Sequence, residues 1–238
     1  MKAWALYFDV PVPYSLGDRV QDRLLDARAR EEIPDTVLFL EHEPVITLGR
    51  RGRDQFLLAS RRELERRGIA LATASRGGDI TYHEPGQLVM YPILRLGARE
   101  ADAHGYLANL EDIAVRTAAG FQVKACRREG MNGAWTAQGK IAAIGFRLKR
   151  WVTSHGMSFN VDPDLAAFDL IVGCGLVGEP VSSLRAMLGK GCPSMAEVRS
   201  VMTSAFRDVC GRDLLVHEHR AEWPSAVRDV LPEGLRRL

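Results

Sequence analysis

Two residues in this chain combine reactive chemistry with accessibility. Cys174 follows the largely apolar run Phe168-Asp169-Leu170-Ile171-Val172 and stands between Gly173 and Gly175. Its neighbours cover little of the thiol, so a large substrate can reach it. A free cysteine titrates near ~8.5 and is only a few per cent thiolate at neutral pH, whereas an ammonium group that lowered this value by about 2 units would make most of it reactive. Lys140, the one charged residue in Gly139-Lys140-Ile141-Ala142-Ala143-Ile144-Gly145, is the candidate for that ammonium. Together the two suit nucleophilic catalysis.

Two further segments carry polar groups beside glycine. In Arg76-Gly77-Gly78-Asp79-Ile80-Thr81-Tyr82-His83-Glu84-Pro85-Gly86-Gln87-Leu88, adjacent glycines let a substrate lie against the backbone, with Arg76 and His83 on either side. Thr153-Ser154-His155-Gly156-Met157-Ser158-Phe159-Asn160-Val161 repeats the placement of histidine next to glycine at the start of a strand. Each segment alone reads as a turn or a capped strand with a structural histidine.

The elements that must position these residues alternate along the whole chain. A helix is predicted from Asp18 to about Arg30 with Val20, Leu24 and Arg28 on one face, then a buried strand over Thr36–Leu40. Ser60-Arg61-Arg62-Glu63 reads as a capping box for a short arginine-rich helix ended by Gly68. Strands are expected at Ile69–Ala74 and Gln87–Leu96, and a longer helix from about Ala103 to Ala119 that covers the sheet and ends at Gly120. Gln138-Gly139 divides Gly133–Ala137 from Lys140–Trp151, a hairpin with Lys140 at its tip or first strand position, and Met157–Val161 extends the sheet. A second capping box at Ser194-Met195-Ala196-Glu197 opens a helix whose stripe Val198, Met202, Ala205, Phe206 and Val209 is core, closed by Gly211.

The 238 residues, with a 46% hydrophobic share and a net charge of +2, suit one α/β domain with a real core. No apolar stretch reaches the ~18 residues of a membrane span and no leader pattern opens the chain, so a cytoplasmic protein with reduced thiols at Cys126, Cys174, Cys192 and Cys210 is expected. Arginines cluster at Arg50, Arg51 and Arg53, at Arg61, Arg62, Arg66 and Arg67, and near Arg147 and Arg150. Without interleaved aromatics they do not describe a nucleic-acid surface; an acidic protein or a phosphate-bearing arm suits them better. His217-Glu218-His219 lacks a third ligand at a useful spacing, and no metal is expected.

Four elements in order, Arg-Gly-Gly to His-x-Pro-Gly-Gln, Gly-Lys-Ile-Ala, Thr-x-His-Gly and Cys-Gly, give the chain its resemblance. It resembles the octanoyltransferases of lipoate biosynthesis, the lipoyl(octanoyl) transferase branch of the biotin/lipoyl protein ligase superfamily. The resemblance runs from Leu16 to Phe206 and includes Glu41-His42-Glu43-Pro44 and Thr47-Leu48-Gly49-Arg50. It implies a single mixed α/β (α+β) domain, residues 1–211, with a curved central sheet flanked by helices, followed by a C-terminal extension, 212–238. It implies that Cys174 accepts the acyl group and Lys140 activates it. Arg76, Gly77, Gly78, Asp79, Ile80, Thr81, Tyr82 and His83 would form one wall of the acyl pocket. Ala143, Ile144 and Gly145 would form the second and Gly156, Met157 and Ser158 the third, with His155 and Thr153 in support. The implied donor is octanoyl-acyl carrier protein. The implied acceptors are lysines on the lipoyl domains of 2-oxoacid dehydrogenase complexes and on the glycine cleavage H protein. The donor thioester is already activated, so neither ATP nor another cofactor is expected, and the enzyme is expected to be a monomer.

Three positions depart from the family's usual residues: Glu84 replaces a glycine, Gly173 a proline and Ser158 an alanine. If the backbone at Glu84 required positive φ, the glutamate would cost about 1–2 kcal/mol. Two rivals stand beside the transferase reading. An ATP-dependent ligase of the same superfamily does not need a cysteine at position 174, and a non-catalytic homologue would not need Lys140 and Cys174.

Overall fold

The computed structural model describes residues 2–52, 54–173 and 178–231. Cys174 therefore lies outside the described residues, as does Arg53. Eleven strands and six α-helices are described: β1 (Lys2–Tyr7), α1 (Tyr14–Ala29), β2 (Thr36–Leu40), β3 (Val45–Leu48), α2 (Arg61–Arg67), β4 (Ala70–Thr73), β5 (Ile80–His83), β6 (Gln87–Ile93), α3 (Ala103–Ala119), β7 (Cys126–Arg128), β8 (Met131–Thr136), β9 (Gly139–Lys149), β10 (Val152–Asn160), α4 (Leu184–Leu188), α5 (Met195–Cys210), β11 (Asp213–His217) and α6 (Ser225–Val230).

The main sheet is mixed, ordered β11-β1-β2-β6-β10-β9-β8-β7, and a smaller sheet, β4-β3-β5, stands beside it. β1 pairs parallel with both β2 and β11, while β2, β6, β10, β9, β8 and β7 pair antiparallel. One face of the sheet is covered by α3 and α5 through Leu110, Ile113, Ala114, Val198, Met202 and Phe206, all fully buried against Phe39, Met90 and Phe159. The other is covered by α1 through Val20, Leu24 and Leu25 against Leu38 and Val89. The smaller sheet has its own core, Ile46, Ile80 and Tyr82 with Leu64 of α2 and Leu170.

Local signals placed several of these elements where the sequence predicts them. β2 and α3 match their expected bounds. α5 carries the reciprocal Ser194–Glu197 capping box and ends on Gly211 at φ 61. At α2 only half of the box forms: the Ser60 hydroxyl accepts from the Glu63 amide at 3.2 Å, but the Glu63 carboxylate pairs with Arg67 at 2.8 Å.

Three expectations change. α1 begins four residues before Asp18, at Tyr14, because Leu16 and Gly17 are buried and the ring of His42 packs directly over Gly17. The segment Thr153-Ser154-His155 is strand interior, since β10 runs unbroken from Val152. Residues 212–231, expected as an extension, are bound into the domain. β11 adds an edge strand beside β1, Trp223 is 1% exposed, and Arg212 reaches both Asp35 and Glu100.

Candidate active site

Strand alternation builds a narrow slot between the two sheets. β5 turns Ile80 and Tyr82 into the small sheet's core and leaves Thr81 and His83 on the opposite face. Opposite them, β9 and β10 pair Gly145 with Gly156, Ile144 with Met157 and Ala143 with Ser158. The paired glycines have a steric cause. A Cβ on Gly156 would overlap the Met90 carbonyl oxygen, and one on Gly145 would lie 2.8 Å from the Gly77 carbonyl oxygen. The slot of about 40 Å³ is lined by Arg76, Gly78, Asp79, Thr81, His83, Tyr91 and these β9 and β10 residues. Arg76 holds the 76–79 loop in place: its guanidinium donates to the carbonyls of Gly77, Asp79 and Thr47 and to the Thr47 hydroxyl, at 2.7 to 3.1 Å.

His83 in the slot and His42 and His155 behind it are kept neutral by burial. His42 donates from Nδ1 to the Val12 carbonyl at 2.8 Å, so its Nε2 accepts from the Tyr91 hydroxyl at 2.8 Å. Burial pushes it down to about 4, against the opposing pull of the Val12 bond. Gln87 donates its amide to the Tyr82 carbonyl, so its Oε1 accepts from Nδ1 of His83 at 3.0 Å and leaves Nε2 of His83 without a proton. Burial, then His42 and Arg76, hold His83 well below the ordinary histidine value. His155 is pushed down to about 3 by burial and then by Arg76 and Arg147. Its 3.8 Å approach to Asp18 is accordingly not an ion pair. Ser75 accepts from Arg147 at 3.0 Å and donates to Nε2 of His155 at 3.0 Å.

Through Thr81, Ala143 and Ser158 the slot joins a cavity of about 530 Å³ that holds Lys140. The Lys140 ammonium sits 4.6 Å from the centre of the Trp135 ring, which also carries the Arg128 guanidinium at 4.5 Å. Gly173 and Gly178, the described residues that border 174–177 on either side, both line this cavity. The chain beyond is strapped to Lys140 itself: its amide donates to the Pro180 carbonyl and its carbonyl accepts from the Ser182 amide, both at 2.9 Å. Asn160 adds a bond to the Ser182 carbonyl at 2.9 Å. On the approach side, the Val172 amide donates to the Phe56 carbonyl at 2.8 Å and Ile171 bridges to Leu57. The lysine and both described ends of the segment that carries the cysteine thus face one space.

The sequence matches the lipoyl protein ligase A/B catalytic domain over residues 14–207. The chain belongs to that family. It is 41% identical over 212 residues to an octanoyltransferase of Chloroflexus aurantiacus, covering 88% of this chain and 95% of the relative. It is 39% identical over 242 residues to an octanoyltransferase of Koribacter versatilis, covering 95% and 93%. Among solved structures, a bi-partite lipoate protein ligase and its E2 lipoyl domain from Thermoplasma acidophilum shares the fold. That match has a TM-score of 0.74 at 14% identity, covering 97% of this chain and 92% of the other.

Within this lipoyl ligase A/B domain, the residues singled out by sequence divide sharply. Arg76, Gly78, Asp79, Thr81, His83, Ala143, Ile144, Gly145, Gly156, Met157 and Ser158 converge on the slot. Ile80 and Tyr82 do not, for the period-2 reason given above. Gly77 lies one step outside, its amide spent on the Phe146 carbonyl at 2.8 Å. Thr153 is fully buried away from the slot, donating to the Pro92 carbonyl and accepting from the Leu94 amide. His155 backs Tyr91, with ring centres 5.9 Å apart. Glu84 has no positive φ; the left-handed residue of that turn is Gly86, at φ 95. Its carboxylate accepts from the Tyr82 hydroxyl at 3.0 Å, on the side away from the slot. Burial raises its titration and the Tyr82 bond opposes that. Sequence reasoning missed Tyr91, Trp135 and Phe168. Only the first left a signal: a tyrosine inside an apolar strand whose hydroxyl needs a partner.

Proposed function

We propose that Cys174 and Lys140 carry out acyl transfer through a thioester on the enzyme, with octanoyl-acyl carrier protein as donor and a lipoyl-domain lysine as acceptor. The enzyme is an acyltransferase of protein lipoylation that moves an octanoyl group. The observation that supports the two-residue mechanism is the shared cavity, in which Lys140 faces the described residues on both sides of 174–177.

The steps follow from charge. The Lys140 ammonium, in a partly enclosed space, favours a thiolate at Cys174. The thiolate attacks the donor thioester carbonyl, the carrier sulfur leaves, and Lys140 gives it a proton. Lys140 is then neutral and accepts the proton that the acceptor amine must lose as it attacks the octanoyl-enzyme. Amide formation expels the Cys174 thiolate and restores the starting pair. Neutral His83, Tyr91 and the glycine floor give the end of the acyl chain a narrow slot, the rest of the chain lying in the cavity that the slot joins, and each buried methylene contributes ~0.8 kcal/mol.

An isolated lipoyl domain incubated with octanoyl-acyl carrier protein and no ATP should gain one octanoyl group with the wild-type enzyme and none with Cys174→Ala. A strict requirement for ATP would overturn the mechanism in favour of a ligase. Residues 1–211 as the catalytic unit with 212–231 packed onto it, the glycine cleavage H protein as a second acceptor, a cytoplasmic setting and a monomeric state belong to the same proposal. Among the described residues no helix is long and apolar enough to cross a membrane.

A further inference from the structure

The crossover between β3 and β4, residues 49–69, packs against the catalytic segment from outside. Leu58 and Ala59 both donate their amides to the Leu170 carbonyl, and Phe56 and Leu57 bind Val172 and Ile171. Leu58 lines the Lys140 cavity and is nevertheless 61% exposed, which makes it an apolar rim. The same crossover carries six exposed arginines, Arg50, Arg51, Arg61, Arg62, Arg66 and Arg67, against Glu63 and Glu65. These described side chains bring a net charge of +4 into a chain whose total is +2.

Among the described residues only Arg67 of the six reaches a carboxylate, that of Glu63. Elsewhere some exposed arginines are paired, Arg30 with Glu32, Arg95 with Glu31, Arg116 with Asp112 and Arg185 with Asp162, while single ones such as Arg19, Arg99 and Arg150 reach no carboxylate among the described residues; what sets the crossover apart is five such arginines in one segment. Arg61 and Arg62 also occupy the first turn of α2, where positive charge opposes the helix's own polarity. A local rule broken at the rim of an active site points to a role outside folding. On the far side of the slot, Arg51 lines a pocket of about 270 Å³ that shares Gly78, Ile144 and Gly145 with it. The unpaired charge thus flanks the acyl path at both ends.

We propose that this arginine-rich crossover is the docking surface for the donor: an acidic carrier protein whose acyl group hangs on a phosphodiester-linked arm. Guanidinium groups bind carboxylates and phosphate esters bidentately, and Leu58 offers the apolar contact between them. The acceptor fits less well, because it must bring a lysine cation past the same arginines. The proposal rests on the thioester mechanism and gives it a geography, with the donor entering over α2.

The test is a double reversal, R61E/R62E, with R61K/R62K beside it. Neither arginine lines the cavity or the slot, and carboxylates in the first turn of α2 suit the helix, so the variant should fold at least as stably as wild type by thermal melting. Formation of the octanoyl-enzyme is followed by intact mass with two donors, octanoyl-acyl carrier protein and the small thioester octanoyl-N-acetylcysteamine. The expected result is a fall of tenfold or more in kcat/KM with the carrier donor, no change with the small thioester, a clearly smaller fall for R61K/R62K, which keeps the charge and loses the bidentate fork, and loss of the wild-type advantage as salt rises. Equal rates of wild type and R61E/R62E with the carrier donor would overturn the proposal. So would an equal fall with both donors, or a defect confined to transfer from preformed octanoyl-enzyme to the lipoyl domain. Failure of wild type with both donors would instead refute the thioester mechanism.

Discussion

The slot and the cavity it opens into are neighbours built on opposite principles. The slot is narrow, floored by paired glycines and backed by neutral histidines, and its one guanidinium is spent on loop carbonyls. The cavity is more than ten times larger and holds the Lys140 ammonium against an indole ring. It is closed on one side by backbone bonds to the segment that leads to Cys174. The contrast teaches how one site serves two carriers in turn. On the proposed mechanism the narrow slot selects the acyl chain for apolarity, while charge, proton movement and exchange of protein partners belong to the wider space beside it.

The deepest break of this division is on the cavity side. Lys140→Ala should lower octanoyl transfer by 10² to 10⁴ while leaving the melting temperature nearly unchanged, as read by single-turnover transfer to a lipoyl domain. A Lys140→Ala enzyme with full activity would show that the cavity does not carry the proton chemistry. On the slot side, Gly156→Ala should cost about 1–3 kcal/mol, because its Cβ overlaps the Met90 carbonyl oxygen. That is a loss of several degrees in thermal melting, and an unchanged Tm would mean that the glycine floor is not tightly packed.

Acid should attack the slot first. His42, His83 and His155 are all held below the ordinary value near 6.5, two of them at about 4 and about 3. As pH falls below 6.5 the unfolded chain takes up protons that the folded one refuses, so stability is present above that value and is lost on the way down to about 4. Each histidine contributes a slope of up to about 1.4 kcal/mol per pH unit. Urea midpoints at pH 7 and pH 5 measure this, and His42→Gln should flatten the dependence. The smallest effect is expected at Glu84, which neither strains the backbone nor faces the slot. Glu84→Gly should remove the bond to Tyr82 at a cost of about 1 kcal/mol and leave transfer within a few-fold of wild type. A large gain in transfer would mean that the carboxylate inhibits the enzyme after all.

What could be read from sequence was what depends on near neighbours. The bounds of α3, the cap at Ser194 and the stop at Gly211 follow from side chains within a few residues of each helix end. Arg76 and Gly156 were legible because glycine beside a polar group is a local pattern, whereas Gly145 came only through the family resemblance. Long-range packing hid the rest. Gly17 lies inside α1 because His42, 25 positions on, needs the space. Ile80 and Tyr82 leave the slot because a second sheet pairs with β5 on β3 and buries that face. Tyr91 and Phe168 reach the site from elements with no motif of their own, and β11 joins the sheet only through β1 at the other end of the chain.

The central claim is that an acyl group rests on Cys174 between donor and acceptor. Intact mass after mixing purified enzyme with octanoyl-acyl carrier protein, without ATP or acceptor, tests it directly. The account predicts a single octanoyl adduct on wild type that hydroxylamine removes and that Cys174→Ala does not form. Continued transfer to a lipoyl domain by Cys174→Ala, with no adduct on either protein, would contradict it.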